Sequence, residues 1–423
     1  MILLAIAVAL AAVVRWLRND VGRATLFADQ TYHHQALRAL NHVPAGGADV
    51  SEVLEATRHV RAGDADAWFA AWTALGDRNR ARAEATRDSH SRGLALLRAH
   101  TYYLRAEFFL AGDDPRRPPS YARNTAAFYA GLDALGVAYE RLAIPYGDGD
   151  GDGDRDARLN AVFYPAPTAG PLIVFCGGID STLEELYFFL VAAARARGYA
   201  VLTFEGPGQG AVLRDHGLRF THEWERPTAA VLDGFLARHP RPPAIVLVGL
   251  SMGGYLAARA AAFEPRIDGV VAYDVMFDQG AVVRRDAPRL AFALRRLGLE
   301  RLVDLGARVR AAFSPGFAWR LATGRWTMGR DRPLDVVEAF APYTLAGVAD
   351  RIRGDVLVLA GTRDQFVPVA QVDQLTRALT RARSVTTRVY DRASGGSEHS
   401  QLGASTLWQA DFFDWLAERF GPR

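Results

Sequence analysis

The sequence contains no lysine, and all 50 of its basic residues are arginine. The absence of lysine excludes Schiff-base catalysis and the lysine-dependent phosphate loop of many nucleotide-binding proteins. Because 47 acidic residues balance the arginines, the formal net charge is only +3. So small a charge for a chain of this size gives no argument for a nucleic-acid partner.

Cysteine is almost absent, since Cys176 is the only one. A single cysteine excludes any disulfide within the chain, which fits a reducing compartment. Cys176 ends the apolar run Leu172–Cys176, where a thiol is expected to act as a small buried hydrophobe and not as a nucleophile. We therefore expect a cytoplasmic protein.

The N-terminus has no apolar run of membrane-spanning length. Residues 1–14 are wholly apolar and are followed by Arg15 and Arg18. A membrane span needs 18 or more such residues, and a signal peptide carries a positive charge before its apolar run. A membrane anchor formed by residues 1–17 is the alternative to a cytoplasmic location.

The chain divides into regions that differ in how their apolar residues are spaced. After the apolar segment 1–20, residues 21–146 carry apolar residues at three-to-four spacing, which predicts a helical domain. Over 155–276 and 346–423, short continuous apolar runs alternate with helical stretches, which predicts an α/β core with a mostly parallel sheet. Residues 277–345 form a helical insertion, and an insertion of this length is typical of a cap over an active site. The predicted strands are Leu172–Cys176, Ala200–Phe204, Ala244–Val248, Gly269–Tyr273, Val356–Ala360 and Thr386–Tyr390.

The clearest chemical signal is Gly249-Leu-Ser-Met-Gly253, which follows a predicted strand and precedes a helix-forming stretch. This is the nucleophile elbow of α/β-hydrolases in its required context. The glycines are needed because side chains at these positions would collide with the neighbouring strand and helix. Ser251 would lie at a helix N-terminus, which favours developing negative charge. The pattern predicts Ser251 as the nucleophile.

The partners of Ser251 follow from the order of the fold, in which an acid and then a histidine come after the nucleophile. His399 is the only one of ten histidines that follows Ser251. Asp364 comes just after the predicted strand Val356–Ala360 and would hold the histidine tautomer. Asp391 is the alternative candidate for the acidic residue that holds the histidine.

An oxyanion hole needs two N–H donors. The backbone of Met252 is one. Gly178, in the glycine-rich loop after the strand that ends at Cys176, is the choice for the second, and Ile179 is its alternative.

No cofactor and no metal are expected. The histidines form no metal-binding motif. The glycine cluster Glu205–Gly210 is not a dinucleotide fingerprint, which favours a shaped loop beside the active site. The alternating run Gly147–Asp154 resembles a calcium loop, but Leu159 stands where that loop needs a glutamate. A solvated turn is the better interpretation.

Several segments together resemble a known group, the 2,6-dihydropseudooxynicotine hydrolases. They are also similar to the fungal polyketide-shortening hydrolases of pigment synthesis and, more distantly, to the fermentation–respiration switch proteins. The likeness covers about residues 25–420, although that group commonly has cysteine where this chain has Ser400. The segments that carry it are Gly177–Glu185, Glu205–Gly210, Trp224-Glu225, Gly249–Tyr255 and Ser397–Gly403, with Trp68–Trp72 and His100–Glu107 in the helical region.

The expected function is hydrolysis of a small-molecule carbonyl substrate through the triad. The resemblance implies cleavage of a C–C bond in a β-diketone or aryl ketone, by an enzyme that is often a homodimer. A carboxylesterase or amidase acting on small apolar substrates is one alternative. An α/β-hydrolase that has lost catalysis and serves as a binding protein is an alternative of another class.

Overall fold

The computed structural model describes residues 26–147, 157–167 and 169–421. The predictions for the apolar segment 1–20 and for the acidic residues of the Gly147–Asp154 run fall outside these ranges. Within the described ranges, no helix is long and apolar enough to cross a membrane.

Two compact units make up the protein. One comprises the described residues up to Gly136 together with Ala287–Val336, and the other comprises Val137–Asp286 together with Val337 onward. Most of the helical insertion therefore belongs to the same unit as the N-terminal helices. The helices are α1 (Gln30–Leu40), α2 (Val50–Thr57), α3 (Ala65–Ala85), α4 (Ser89–Ala106), α5 (Arg117–Ala134), α6 (Ala192–Arg195), α7 (Gly210–His216), α8 (Glu225–Leu236), α9 (Gly253–Phe263), α10 (Gln279–Arg285), α11 (Arg289–Arg296), α12 (Glu300–Phe313), α13 (Pro315–Met328), α14 (Pro333–Ala339), α15 (Ala370–Ala378) and α16 (Ser405–Phe420).

The first unit forms around an aromatic core on α3. This helix begins where the Asp64 carboxylate accepts a hydrogen bond from the Ala67 amide, a regular N-cap. Trp68 and Trp72 lie one turn apart on its buried face and are completely inaccessible to solvent. The Trp68 indole donates to the Arg105 carbonyl at 2.7 Å, so its one polar group is satisfied inside the core.

The second unit is built on an eight-stranded sheet with the order β1-β2-β4-β3-β5-β6-β7-β8. β2 pairs antiparallel with both β1 and β4. The six strands from β4 to β8 in the sheet order are all parallel to one another. The inner strands are buried along their whole length, which explains their continuous apolar sequences. The strands are β1 (Glu140–Pro145), β2 (Arg158–Tyr164), β3 (Leu172–Cys176), β4 (Ala200–Phe204), β5 (Ile245–Leu250), β6 (Gly269–Tyr273), β7 (Asp355–Gly361) and β8 (Ser384–Tyr390).

The predicted fold class is confirmed, and β3, β4 and β6 have the predicted bounds. The first two strands were not predicted. The sequence predicts a helical domain that continues to residue 146, but α5 ends at Ala134, and Gly136 follows with a φ of 64°. The next residues form β1, whose alternate burial on a sheet edge leaves only a weak apolar signal.

Candidate active site

Ser251 lies in the tight turn between β5 and α9. Its φ of 59° is in the left-handed region, which non-glycine residues rarely adopt. The Ser251 amide donates to the Tyr273 carbonyl at 2.5 Å. A side chain on Gly249 would overlap the Gly253 carbonyl, and one on Gly253 would crowd the carbonyls at the end of β3. The predicted reason for these glycines is therefore confirmed.

The structure brings the three predicted triad residues together. His399 Nε2 lies 2.8 Å from Ser251 Oγ, and His399 Nδ1 lies 2.7 Å from Asp364 Oδ2. The Asp364 carboxylate is itself fixed, because its Oδ1 accepts hydrogen bonds from the amides of Phe366 and Val367. In the neutral imidazole the proton therefore lies on Nδ1, which faces a carboxylate, and Nε2 can accept the proton of the serine.

A second carboxylate, which the sequence reasoning missed, also faces His399. Asp274 follows β6 directly, and its Oδ2 lies 3.0 Å from His399 Nδ1. It is completely buried. Its oxygens also accept hydrogen bonds from the Ser400 amide at 2.5 Å and from Gln401 Nε2 at 3.0 Å. The rule that selected Asp364, a carboxylate just past a buried parallel strand, applies equally to Asp274 and could have found it.

The electrostatics of these three groups are linked. Burial opposes charge on His399, but the carboxylates of Asp364 and Asp274 outweigh it and raise the pKa of His399 to about 10. Burial raises the pKa of Asp364 to about 6, and the nearby charge of Asp274 adds to this. Burial would raise the pKa of Asp274 as well, but hydrogen bonds from the His399 loop keep it below its usual value. The three groups titrate as one unit.

The same three side chains are the one set in the described chain whose donor atoms lie close enough together to hold a metal ion, all within 4.8 Å. Their oxygens are already hydrogen-bonded to backbone amides, a glutamine and the imidazole. This pattern is that of carboxylates bound to a histidine, and we interpret the cluster in that way.

The loop after β3 packs against the Ser251 turn. A Cβ on Gly178 would lie 3.0 Å from Ser251 Cβ and 3.2 Å from the Met252 amide nitrogen. The Gly178 amide donates to Ser181 Oγ at 2.9 Å. Among the described residues, the amides of Ile179 and Met252 donate no hydrogen bond.

The glycine cluster Glu205–Gly210, which follows β4, holds the loop after β3 in place. Gln209 is buried, and its Nε2 donates to the carbonyls of Gly177 and Gly178 at 2.7 and 3.0 Å. The Glu205 carboxylate accepts from the Leu183 amide further along the same loop. The prediction of a shaped loop is thus confirmed, and its neighbour is the segment that carries the oxyanion candidates.

Two other sequence candidates lie away from this chemistry. Burial raises the pKa of the Cys176 thiol to about 12, so it remains protonated at neutral pH, as expected for a buried hydrophobe. Asp391 is exposed and forms a local turn with Ser394. The structure does not bring it to His399.

A sequence profile described as the alpha/beta hydrolase family matches residues 173–402, more than half of the chain. The chain belongs to this family. Two relatives named as hydrolases extend the likeness to nearly the full length of this chain. Hydrolase acrC of Aspergillus aculeatus is 34% identical over 92% of this chain and 96% of its own. The 20-hydroxy-prefusarin hydrolase FUS2 of Gibberella moniliformis is 30% identical over 93% of this chain and 98% of its own. The chain is therefore an enzyme, a hydrolase.

Solved alpha/beta hydrolase structures share the fold. A 2,6-dihydroxy-pseudo-oxynicotine hydrolase superposes with a TM-score of 0.67 at 20% identity, covering 90% of this chain and 95% of its own. AbyA5 superposes with a TM-score of 0.63 at 21% identity, covering 91% and 94%. The resemblance seen in the sequence motifs is thus confirmed for the family and for the fold.

Proposed function

We propose that the chain is a serine hydrolase that cleaves a carbonyl substrate through Ser251, His399 and Asp364. The observation that carries the proposal is the continuous hydrogen-bond relay, with 2.8 Å from Ser251 Oγ to His399 Nε2 and 2.7 Å from Nδ1 to Asp364. A serine hydroxyl is a weak nucleophile until an adjacent base takes its proton. This geometry supplies the base and fixes its tautomer.

In the first half of the reaction, Ser251 Oγ attacks the substrate carbonyl carbon and its proton passes to His399 Nε2. The carbonyl oxygen becomes an oxyanion, which accepts hydrogen bonds from the Met252 amide and a second amide of the loop after β3. We assign the second donor to Ile179, because the Gly178 amide already donates to Ser181. Removal of one such donor typically lowers kcat by about 10²–10³-fold.

In the second half, the tetrahedral intermediate collapses and the bond to the leaving group breaks. The leaving group takes the proton from His399, and an acyl-Ser251 ester remains. Water then attacks this ester, with His399 again as the base. The products are a carboxylic acid and the protonated leaving group, and the enzyme returns to its initial state.

We further propose that the bond cleaved is a C–C bond next to a ketone, in a β-diketone or aryl ketone. In that case the leaving carbon departs as a stabilised carbanion and is protonated by His399. The support is the motif resemblance to the 2,6-dihydropseudooxynicotine hydrolases, together with a relative and a structural neighbour named as hydrolases of 20-hydroxy-prefusarin and 2,6-dihydroxy-pseudo-oxynicotine. Ester or amide hydrolysis would use the same residues.

The proposal is tested by intact-mass labelling with a fluorophosphonate, which attaches phosphorus to an activated serine and releases fluoride. We expect one adduct on the wild type and none on Ser251→Ala. Ser51→Ala, which removes a hydroxyl from an exposed position on α2, should label like the wild type. A panel of β-diketones, aryl ketones and esters then identifies the bond.

Two results would count against the proposal. An adduct that persists in Ser251→Ala would place the nucleophile elsewhere. A folded wild type that never labels would favour the binding-protein alternative.

A further inference from the structure

We propose that Asp274 is a second acidic partner of His399, a positioning residue that shares the Nδ1 proton with Asp364 and stabilises the imidazolium. This inference rests on the proposed function, since it concerns the base that activates Ser251. Its basis is geometric: two buried carboxylates, at the ends of neighbouring strands, have an oxygen within hydrogen-bond distance of one nitrogen.

The two carboxylates are held in place independently. Asp364 Oδ1 is occupied by the amides of Phe366 and Val367, which leaves Oδ2 facing the imidazole. Asp274 follows β6, the neighbour of β7, and the Val275 amide donates to the Leu359 carbonyl at 3.0 Å. Because the carboxyl ends of parallel strands meet at one edge of the sheet, both acids converge on the same side of the ring.

His399 Nδ1 carries one proton, and two carboxylate oxygens lie 2.7 and 3.0 Å away. Either oxygen can accept this proton in a hydrogen bond, so removing one acid leaves the tautomer supported by the other. When Ser251 gives its proton to Nε2, the imidazolium faces two negative charges instead of one. The Nδ1 proton remains on the ring throughout, and the proton balance of the reaction is unchanged.

The arrangement has a consequence for pH. The groups that face His399 are the two carboxylates, the Ser251 hydroxyl at Nε2 and the Phe366 ring at its edge. The Tyr273 phenol donates to the neighbouring Ser400 carbonyl, and the Tyr390 phenol interacts with the charge of Asp274. Two buried negative charges stabilise the protonated ring, so Ser251 reaches full reactivity only on the alkaline side of neutrality.

A purely structural role for Asp274 must be separated from this one. Ser400 and Gln401 have φ values of 54° and 44°, and Asp274 binds both residues. It therefore also holds the histidine loop in a conformation that non-glycine residues rarely adopt. Loss of that support would lower the rate at every pH, whereas loss of the charge would move the pH at which the rate is half-maximal.

The experiment measures the rate of fluorophosphonate labelling from pH 5 to pH 11 in the wild type, Asp274→Asn, Asp364→Asn and the double variant. For Asp274→Asn we expect a midpoint about 1–3 pH units lower than in the wild type. Asp268→Asn is the matched control. Asp268 precedes β6 at its other end, where it accepts a hydrogen bond from the Ile245 amide, and this variant should keep the wild-type midpoint.

The second readout does not depend on Asp274→Asn folding. Loss of the only triad acid typically costs about 10⁴ in rate, because the tautomer is then wrong. With Asp274 in place, Asp364→Asn should lose no more than about 100-fold. The double variant, if folded, should approach the rate of His399→Ala.

The inference is overturned if Asp364→Asn is as slow as His399→Ala, or if Asp274→Asn labels more slowly with an unchanged midpoint. A wild type that does not label at all, or a Ser251→Ala variant that still labels, would instead contradict the proposed function.

Discussion

Individual residues at the site adopt conformations or charge states that would be unfavourable elsewhere in a protein. Ser251, Ser400 and Gln401 all have left-handed backbone conformations, each of which costs roughly 1–3 kcal/mol unless the surroundings enforce it. The Asp274 carboxylate and the Tyr273 phenol both bind the Ser400 backbone. The strain that exposes Ser251 and aims His399 is thus offset by buried hydrogen bonds close by.

Glu184 gives a prediction at the residue scale. It is fully buried, and its pKa is raised to about 8, first by burial and then by the charge of Glu205. A folded-state pKa above the unfolded value of about 4.3 means that stability is greatest below that value and is lost as the pH rises through 8. We expect the melting temperature to fall between pH 5 and pH 9.

The Glu184→Gln variant should show a smaller decrease over the same range, measured by circular dichroism. Glu418→Gln, on the exposed face of α16, is the control and should behave like the wild type. An equal decrease in Glu184→Gln would show that another group causes it.

At the scale of elements, two glycine-rich loops form one assembly. The loop after β4 carries Gln209, whose amide binds two carbonyls of the loop after β3. A Cβ on Gly206 or Gly208 would collide with Trp224 or Phe220, so the close packing of this loop depends on its glycines. The assembly fixes the segment that carries the proposed second oxyanion donor.

Gln209→Ala should therefore lower the rate of Ser251 labelling by up to about 10²-fold, because a misaligned oxyanion donor contributes little. The comparison is with Gln374→Ala, which alters an exposed residue of α15 and should leave the rate unchanged. Melting curves establish that both variants are folded. A Gln209→Ala variant with the wild-type rate would show that the loop after β3 keeps its position without the hydrogen bonds from Gln209.

At the scale of the whole molecule, the helical unit is assembled from two distant stretches of chain. The Trp319 ring on α13 stacks on Phe108 with ring centroids 4.8 Å apart. The Arg117 guanidinium at the start of α5 lies 4.4 Å from the Trp326 ring centroid. About 200 residues separate these partners in sequence, and most of them belong to the unit that contains the sheet.

We predict that Trp326→Ala loosens the N-terminal helices. Loss of a partly buried aromatic ring and its cation–π contact should cost about 1–3 kcal/mol. Hydrogen exchange should become faster in α4 and α5 and stay unchanged in β5 and β6. Arg325→Ala, at the exposed neighbouring position, should leave both regions protected. Unchanged exchange in α4 and α5 of Trp326→Ala would contradict the packing argument.

The sequence alone determined those features that depend on local pattern. The central strands were predictable because residues buried on both faces are continuously apolar, and Ser251 because its turn requires glycines at fixed positions. His399 was predictable because it is the only histidine that follows Ser251 in the chain. The edge strand β1 was not predictable, since one face of it is exposed and its pattern resembles the end of a helix.

The tertiary structure alone decided which groups meet. Asp274 and Asp364 are 90 residues apart in sequence, and only the neighbouring positions of β6 and β7 bring both carboxylates to one imidazole. In the same way, only the packed loops show that the Gly178 amide donates to Ser181 and that the Gly178 carbonyl accepts from Gln209. Sequence pattern encodes burial and backbone geometry, whereas proton sharing and hydrogen-bond competition depend on distances between segments that the pattern does not contain.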